Sequence, residues 1–409
     1  MLTDRTHLLN FLIQQRNARR YLEISMHADR ESFAQIHCAR KKKIEASGPH
    51  LSAATKFFNQ TRDKFDVVFI DGVHTEEQVL LDARWAFACL APNGIIVLHD
   101  CMPPDAWHQR EQDAYREGEN WNGTAWKAAL RIFNHTKYRC TLVDTDWGCG
   151  VIDTGQRQQR KKLRLPASLE YDMHYPWLLE YRKTWAAYLR EWVQVFYHLA
   201  CMGNWQQVFE EQMVQLGQNG FYHINLTVLG TSEEVGTAIR ICRRSSVEPT
   251  LVFQAEELDQ FERPTLLAIE AYAKENGGYV LYLHSKGVSN PADTTKTKWR
   301  RLMMRELVEK WESCLLQLPC YDVTGVNWRE MPPTSHFCGN FWYASTRYLR
   351  KLADFTHYYD HPRYQFWDRI EYKRLGCEFW ISSGREAPNV LSLYCRNVDF
   401  CNHAYWKDK

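Results

Sequence analysis

The chain has 409 residues, 45% of them hydrophobic and 14% aromatic, enough to pack two cores of ordinary size and incompatible with an intrinsically disordered protein. Its formal net charge of +2 supplies no basic footprint, so no nucleic-acid partner is expected. No apolar run approaches the roughly 18 residues of a membrane span, and thirteen cysteines without a Cys-x-x-Cys pair read as reduced thiols, which makes the cytoplasm the expected location.

Residues 1–10 carry Asp4 and Arg5 where a signal peptide needs an apolar stretch. Residues 3–20 read as a helix, with Leu8, Leu9, Phe11, Leu12 and Ile13 as its apolar face and Thr3 as its cap. Short strands are expected at 21–24 and 43–45, and a strong one at 66–70. A helix over 76–90 stops at the turn Pro92-Asn93-Gly94, and the apolar run 95–98 is again a strand. A helix at 125–133 and an antiparallel pair, 140–143 with 150–152, complete the first alternation. It predicts a mainly parallel sheet and a domain over 1–155.

Residues 156–164 hold five positive charges in nine positions and read as a surface linker, followed by a connecting helix over 171–192. The joint therefore spans 156–192. A second alternation occupies 193–409. Its expected strands are 193–199, 223–229, 250–253, 280–283, 322–328 and 340–344. Its expected helices are 205–216, 264–275, 298–316 and 346–352. The expected fold class is α/β, with two Rossmann-like domains joined by a helical linker.

Two strands of the first half end in carboxylates, Asp71 and Asp100. His74 follows the first by three positions and His99 precedes the second. Neighbouring parallel strands lie ~4.8 Å apart, so such ends can converge. Two carboxylates with an imidazole suit a hard divalent cation, with His74 or His99 as ligand or general base. The plainer reading has Asp71 capping a turn and His99 making a packing hydrogen bond. In the second half the apolar run 280–283 stops in His284-Ser285-Lys286-Gly287. At the carboxyl end of a parallel strand, His284 and Lys286 can balance the charge of a departing diphosphate without a metal; otherwise this is a surface loop. His336 and Asn340 flank an aromatic strand containing Trp342, suited to stack a sugar face and bond its hydroxyls. Glu378, alone in an apolar segment, reads equally as a catalytic base or as a structural acid paired with Arg or Lys.

The segments Tyr21-Leu22-Glu23-Ile24, 65–74, 90–101, 121–127 and 146–150 resemble, in order and spacing, class I S-adenosylmethionine-dependent methyltransferases of the branch attached to sugar and polysaccharide biosynthesis. The resemblance covers residues 5–153. It implies a Rossmann-like sheet, with S-adenosylmethionine held by Glu23, Ser25, Glu45 and Asp71. It also implies that Asp71, His99 and Asp100 face the acceptor, with a divalent metal among them; from its own chemistry His74 is the expected catalytic residue. The chain departs from that family in the cofactor loop. Residues 25–33 contain no glycine, and the span to Asp66 is short for the usual two intervening units.

Residues 193–395 resemble a family of polysaccharide glycosyltransferases of bacteria and large viruses. The matching segments are 196–205, Glu211-Gln212, 220–222, 280–287, Trp311-Glu312, 321–328, 336–344 and 378–381. The resemblance implies a GT-A-like fold, a nucleotide-diphosphate sugar donor and a glycan acceptor. Taken with the chemistry of the residues, it leads us to expect His284 and Lys286 on the diphosphate, Glu378 as base, and His336, Asn340, Trp342 and Asn204 on the sugar. The usual Asp-x-Asp metal motif is missing from the strand end. The combined expectation is a bifunctional enzyme that transfers a sugar and O-methylates the same glycan, in peripheral association with glycan-assembly machinery. The alternative keeps the glycosyltransferase and makes the first domain an inactive scaffold or glycan-binding module.

Overall fold

In a computed structural model the chain divides into two compact units, Met1–Tyr188 and Leu189–Lys409. The structure describes residues 4–25, 30–45, 57, 58, 60–116, 118–159, 162–331, 334–359, 370–400 and 403–406.

The N-terminal unit opens with α1 (Arg5–Gln15), capped by Asp4, whose carboxylate accepts the His7 N–H at 3.1 Å; Thr3, the expected cap, lies outside the described residues. Strands β1 (Arg20–Ser25) and β2 (Arg40–Glu45) flank α2 (Arg30–Ala34). Then follow β3 (Phe65–Asp71), α3 (Glu76–Cys89), β4 (Leu90–Leu98), α4 (Ala125–His135), β5 (Tyr138–Val143) and β6 (Cys149–Arg157).

The sheet order is β2-β1-β3-β4-β6-β5. Strands β2, β1, β3 and β4 run parallel, and β6 is antiparallel to both of its neighbours. This is the mainly parallel sheet that continuous apolar runs such as Val67–Ile70 dictate, since both faces must be covered. Among the described residues a single strand, β2, lies outboard of β1, which accounts for the short spacing before Asp66. The order reverses between β1 and β3, so a crevice is expected outside Ser25 and Asp71.

The segment expected to be a connector belongs instead to this unit. Arg157 is still strand, and Leu169, Tyr175, Leu178 and Tyr181 are buried in the same core as Leu22, Val68, Ile96 and Trp126. It is helical only in pieces: α5 (Tyr171–Leu179), a tighter turn over Glu180–Thr184, and α6 (Trp185–Arg190), which straddles the division between the units. The physical reason is its spacing of large apolar residues, which need a core to cover them.

The C-terminal unit contains β7 (Val193–Ala200), α7 (Trp205–Gln218), β8 (His223–Leu229), α8 (Ser232–Arg244), β9 (Glu248–Ala255), α9 (Arg263–Glu275) and β10 (Tyr279–His284). After these come α10 (Thr294–Met304), α11 (Trp311–Gln317), β11 (Val323–Arg329), β12 (His336–Phe337), β13 (Trp342–Ser345), α12 (Thr346–Leu349), α13 (Phe355–Tyr359), α14 (Ile370–Phe379) and β14 (Val390–Arg396). The single helix expected over 298–316 is broken by a π-helical turn, Arg305–Glu309. Helix α8 has no counterpart among the expected elements, although the pattern Thr231-x-x-Glu234 announces it: the Thr231 hydroxyl accepts the Glu234 N–H while the Glu234 carboxylate accepts the Thr231 N–H. The sheet order is β12-β11-β13-β10-β7-β8-β9, with β14 beside β11. Strands β10, β7, β8 and β9 are parallel and β13 is antiparallel to β10. Here too the order reverses beside the first strand, between β7 and β10.

Among the described residues no helix is long and apolar enough to cross a membrane.

Candidate functional site

In the N-terminal unit β3 delivers Asp71 and β4 delivers His99 and Asp100 to the same end of the sheet. The His99 N–H donates to the Ile70 carbonyl at 2.9 Å, which sets the end of one strand against the end of the other. Asp100 leaves its strand with φ of +56° and is held by the Asn122 amide, which donates to Oδ1 at 2.7 Å. His74 sits in the turn after β3. A Cβ at Gly123, which has φ of +59°, would lie 2.2 Å from the His74 carbonyl oxygen, so only glycine lets the start of α4 approach this turn. Thr124 N–H then donates to that carbonyl at 2.7 Å, and the Trp121 ring stacks on the His74 imidazole at 5.6 Å.

The result is a chain of alternating charge. His74 Nδ1 lies 3.0 Å from Asp100 Oδ2, and His74 Nε2 lies 3.4 Å from Asp71 Oδ1. His99 Nδ1 lies 2.9 Å from Asp71 Oδ1 and 3.1 Å from Asp100 Oδ2. Asp146, from the loop joining β5 to β6, approaches His99 Nε2 at 3.5 Å and accepts from the Arg5 guanidinium at 2.9 Å. Arg5 also lies 3.8 Å from Asp71. Burial alone would raise the carboxyls of Asp71 and Asp100, but His99 and His74 outweigh it and hold both well below the usual range. Burial alone would lower His74; Asp100 and Asp71 outweigh that and push it up to about 10. His99 is likewise raised well above its ordinary value against burial. Three carboxylates are thus balanced by two imidazolium groups and one guanidinium.

The donor set fits a divalent cation. One ligand atom each from Asp71, His74 and Asp100 lies within 4.8 Å of the others, and buried His74 Nε2 and Asn122 Oδ1 make no hydrogen bond. The structure thus brings together Asp71, His74, His99 and Asp100, all singled out from sequence. It adds Asp146, Arg5 and Asn122, for which the sequence signals were the turn Asp146-Trp147-Gly148 and the segment Trp121-Asn122-Gly123.

The other expected cofactor residues fare differently. Ser25 is buried at the end of β1, opposite Asp71 in register. Glu23 is engaged within the fold: Lys43 Nζ lies 3.1 Å from it and the Tyr21 hydroxyl donates to it at 2.9 Å. These contacts tie β1 to β2. Glu45 ends β2, and its side chain lies outside the described residues, as do residues 26–29 of the glycine-free loop.

In the C-terminal unit His284 and Lys286 do leave β10 at the switch in strand order, where the Ala200 N–H donates to Ser285 Oγ at 3.0 Å. His284 Nε2 lies 2.9 Å from the Gly339 carbonyl, and its ring meets Phe341 edge-on at 5.0 Å. Lys286 places its ammonium over the Trp299 ring at 4.0 Å. His336 lies against Phe379 at 4.9 Å, one residue from Glu378 on α14. Asn340 is buried with φ of +57° and accepts the Trp342 indole N–H at 3.0 Å, while its amide nitrogen has no hydrogen-bond partner. Asn204 precedes α7, with its side-chain oxygen buried and unbonded. Trp342 departs from expectation: at 1% exposure it packs in the core with Tyr282 and has no face to offer a sugar. An indole on the inner face of β13 must be covered, and the sheet covers it. Buried Tyr282 has its phenol raised well above the ordinary value by burial and then by Glu262, Cys377 and Glu378.

Residues 3–101 match the family described as "Methyltransferase domain", and residues 194–379 match one described as "Domain of unknown function". No curated protein matches the chain. Among solved structures, the O-methyltransferase from Bacillus cereus in complex with SAH is 15% identical with a TM-score of 0.26, covering 36% of this chain and 80% of that one. The O-methyltransferase TomG from Streptomyces achromogenes, in complex with SAM, is 14% identical with a TM-score of 0.27, covering 36% and 78%. The SAH-bound Podospora anserina methyltransferase PaMTH1 is 18% identical with a TM-score of 0.27, covering 38% and 78%. The N-terminal unit carries a methyltransferase-like domain.

Proposed function

We propose that the N-terminal unit transfers a methyl group from S-adenosylmethionine to a hydroxyl of a glycan. The observation that carries this is the convergence of Asp71, His74, His99 and Asp100 at the carboxyl ends of β3 and β4, beside the point where strand order reverses. S-adenosylmethionine, when bound, supplies a methyl carbon on a positively charged sulfur. Transfer forms one C–O bond, breaks one S–C bond and releases one proton from the acceptor hydroxyl. His74 in its neutral form takes that proton at Nε2, which lies 3.4 Å from Asp71, while Asp100 holds Nδ1 in place. Asp71 and His99 fix the charge around it. Asp71 and Asp100 would hold a Mg²⁺ or Mn²⁺ ion, which would lower the proton affinity of the hydroxyl and replace the positive charge of the imidazoles, leaving His74 free to act as the base. The sequence feature favouring an inactive scaffold is the glycine-free loop. Calorimetric titration of the full chain with S-adenosylmethionine separates the two: a saturable isotherm is expected, and none would leave the scaffold reading.

A second reading concerns the C-terminal unit, which would transfer a sugar from a nucleotide diphosphate to the same glycan, in the cytoplasm and alongside glycan-assembly machinery. Its support is the strand order β9-β8-β7-β10-β13-β11, with His284-Ser285-Lys286-Gly287 at the reversal between β7 and β10. A donor panel of UDP-, GDP- and dTDP-sugars tests it. Turnover abolished in Lys286→Ala supports it, and failure of every donor to bind removes it.

A further inference from the structure

The loop between β5 and β6 holds three successive residues at positive φ: Asp146 at 44°, Trp147 at 65° and Gly148 at 89°. Two of them carry side chains, which makes this an outlier of the kind that accumulates at functional sites. The turn is locked from several sides. The Gly148 N–H donates to the Thr145 carbonyl at 2.8 Å, Cys101 N–H donates to the Gly148 carbonyl at 2.9 Å, and Met102 N–H donates to the Trp147 carbonyl at 2.8 Å. A Cβ at Gly148 would meet the Met102 Cβ at 2.3 Å.

This geometry turns two neighbouring side chains to opposite uses. Asp146 points inward to Arg5 and His99. Trp147 stays 43% exposed. Beside it lies His108, with ring centroids 5.7 Å apart, and next to His108 lies Trp107 at 5.1 Å, itself 50% exposed. The His108 imidazole is fixed by Asp105 at 2.8 Å, and Arg110 lies over the Trp107 ring at 3.7 Å. The His108 carbonyl accepts the N–H groups of Asn122 and Gly123 at 2.9 and 3.1 Å, which ties the group to the residues beside His74 and Asp100. Two large indoles are thus held half open to solvent.

We infer that Trp147, backed by His108 and with Trp107 standing as a side wall, forms a stacking platform for one face of a pyranose ring of the methyl acceptor, so that the acceptor is a saccharide. This rests on the methyl-transfer reading. A pyranose presents a flat face of C–H groups and a rim of hydroxyls, so it needs an aromatic surface on one side and polar groups at its edge. Trp147 supplies the surface, and Asp146, one peptide unit away, begins the row of polar groups that leads to His99 and Asp71. A planar phenol, apolar on both faces, needs an enclosed slot. These rings stand open, with Trp107 at 83° to His108 and His108 at 30° to Trp147.

The test is saturation-transfer NMR on the full chain with the methyl glycosides of glucose, galactose, mannose, rhamnose and fucose and with p-cresol. The expected result is transfer to ring C–H protons of at least one glycoside, reduced at least fivefold in both Trp147→Ala and Trp107→Ala and largely restored in Trp147→Phe. Both positions are exposed, so the thermal midpoint should not move. Sugar signals that both alanine variants retain, absence of signal from every glycoside, or Trp147-dependent transfer to p-cresol alone would each overturn the platform. Calorimetry with S-adenosylhomocysteine on the same samples keeps the two ideas apart: binding there with a failed sugar test removes the platform only, and no binding removes the methyl-transfer reading beneath it.

Discussion

His74 Nδ1 lies 3.0 Å from Asp100 Oδ2, although the two residues leave different strands. Asp100 is the main influence that overcomes burial and pushes His74 up to about 10. Replacing it should reverse the balance. In Asp100→Asn, burial is opposed by Asp71 alone, and the imidazole should titrate at least 2 pH units lower, because each lost unit corresponds to only about 1.4 kcal/mol of interaction. Histidine ring-proton NMR across a pH series measures this; an unchanged His74 midpoint would contradict the geometry.

Divalent metal binding should depend on both strand ends. Titration of the full chain with Mn²⁺ should give one site. Asp71→Asn and Asp100→Asn should each weaken it by at least tenfold, since either removes a carboxylate ligand. Substituting Asp105, which serves His108 outside the cluster, should leave Mn²⁺ affinity within a factor of two.

Gly123→Ala tests the turn that delivers His74. The added carbon would sit 2.2 Å from a backbone carbonyl at a position with positive φ. The expected cost is on the order of 2 kcal/mol in stability. Methyl transfer should fall further than the lost folded fraction accounts for, because His74 itself must shift. Urea unfolding and initial rates on the same preparation separate the two effects.

His198 gives the C-terminal unit an acid weakness. Burial lowers it from 6.5 to about 3, with Thr265 as its hydrogen-bond partner at 2.9 Å and His284 beside it in register on β10. The folded chain therefore stays unprotonated between those values while the unfolded chain takes up a proton. Stability is complete above pH 6.5 and is lost as pH falls towards 3, by at most about 1.4 kcal/mol per pH unit from this group. His198→Asn, which keeps a donor for Thr265, should show a shallower decline below pH 6 in denaturant midpoints.

Thr231→Ala should remove the hydroxyl half of the α8 capping box and cost about 1 kcal/mol, read as a lower unfolding midpoint.

Much of this was legible from residue pattern. The runs ending in Asp71, Asp100 and His284 had to be buried parallel strands, and a strand's polar end in such sheets is where chemistry collects. What spacing did not carry was the direction of individual side chains. Trp342 and the exposed Trp147 are both tryptophans in turn-rich segments. One is hidden because its strand faces the core; the other is displayed because three residues adopt left-handed backbone angles, which no local pattern announces. Asp146 lay in a recognised segment, but that it turns towards His99 is visible only in the fold. Glu23 lies in the recognised motif, yet its partner Lys43 comes from another strand, and such pairings appear only once register is known.

The burial of Leu169, Tyr175, Leu178 and Tyr181 in the first core bears on how the chain can be cut. At roughly 1.5–3 kcal/mol for each fully buried large apolar side chain, these four represent about 6–12 kcal/mol, comparable with the whole stability of an ordinary domain. A fragment ending at residue 155, where strand and helix alternation stops, would expose an apolar trough and aggregate. One ending at Tyr188 would keep it covered. The shortest transplantable piece is therefore set by the lid over its greasy side rather than by the last strand of its sheet.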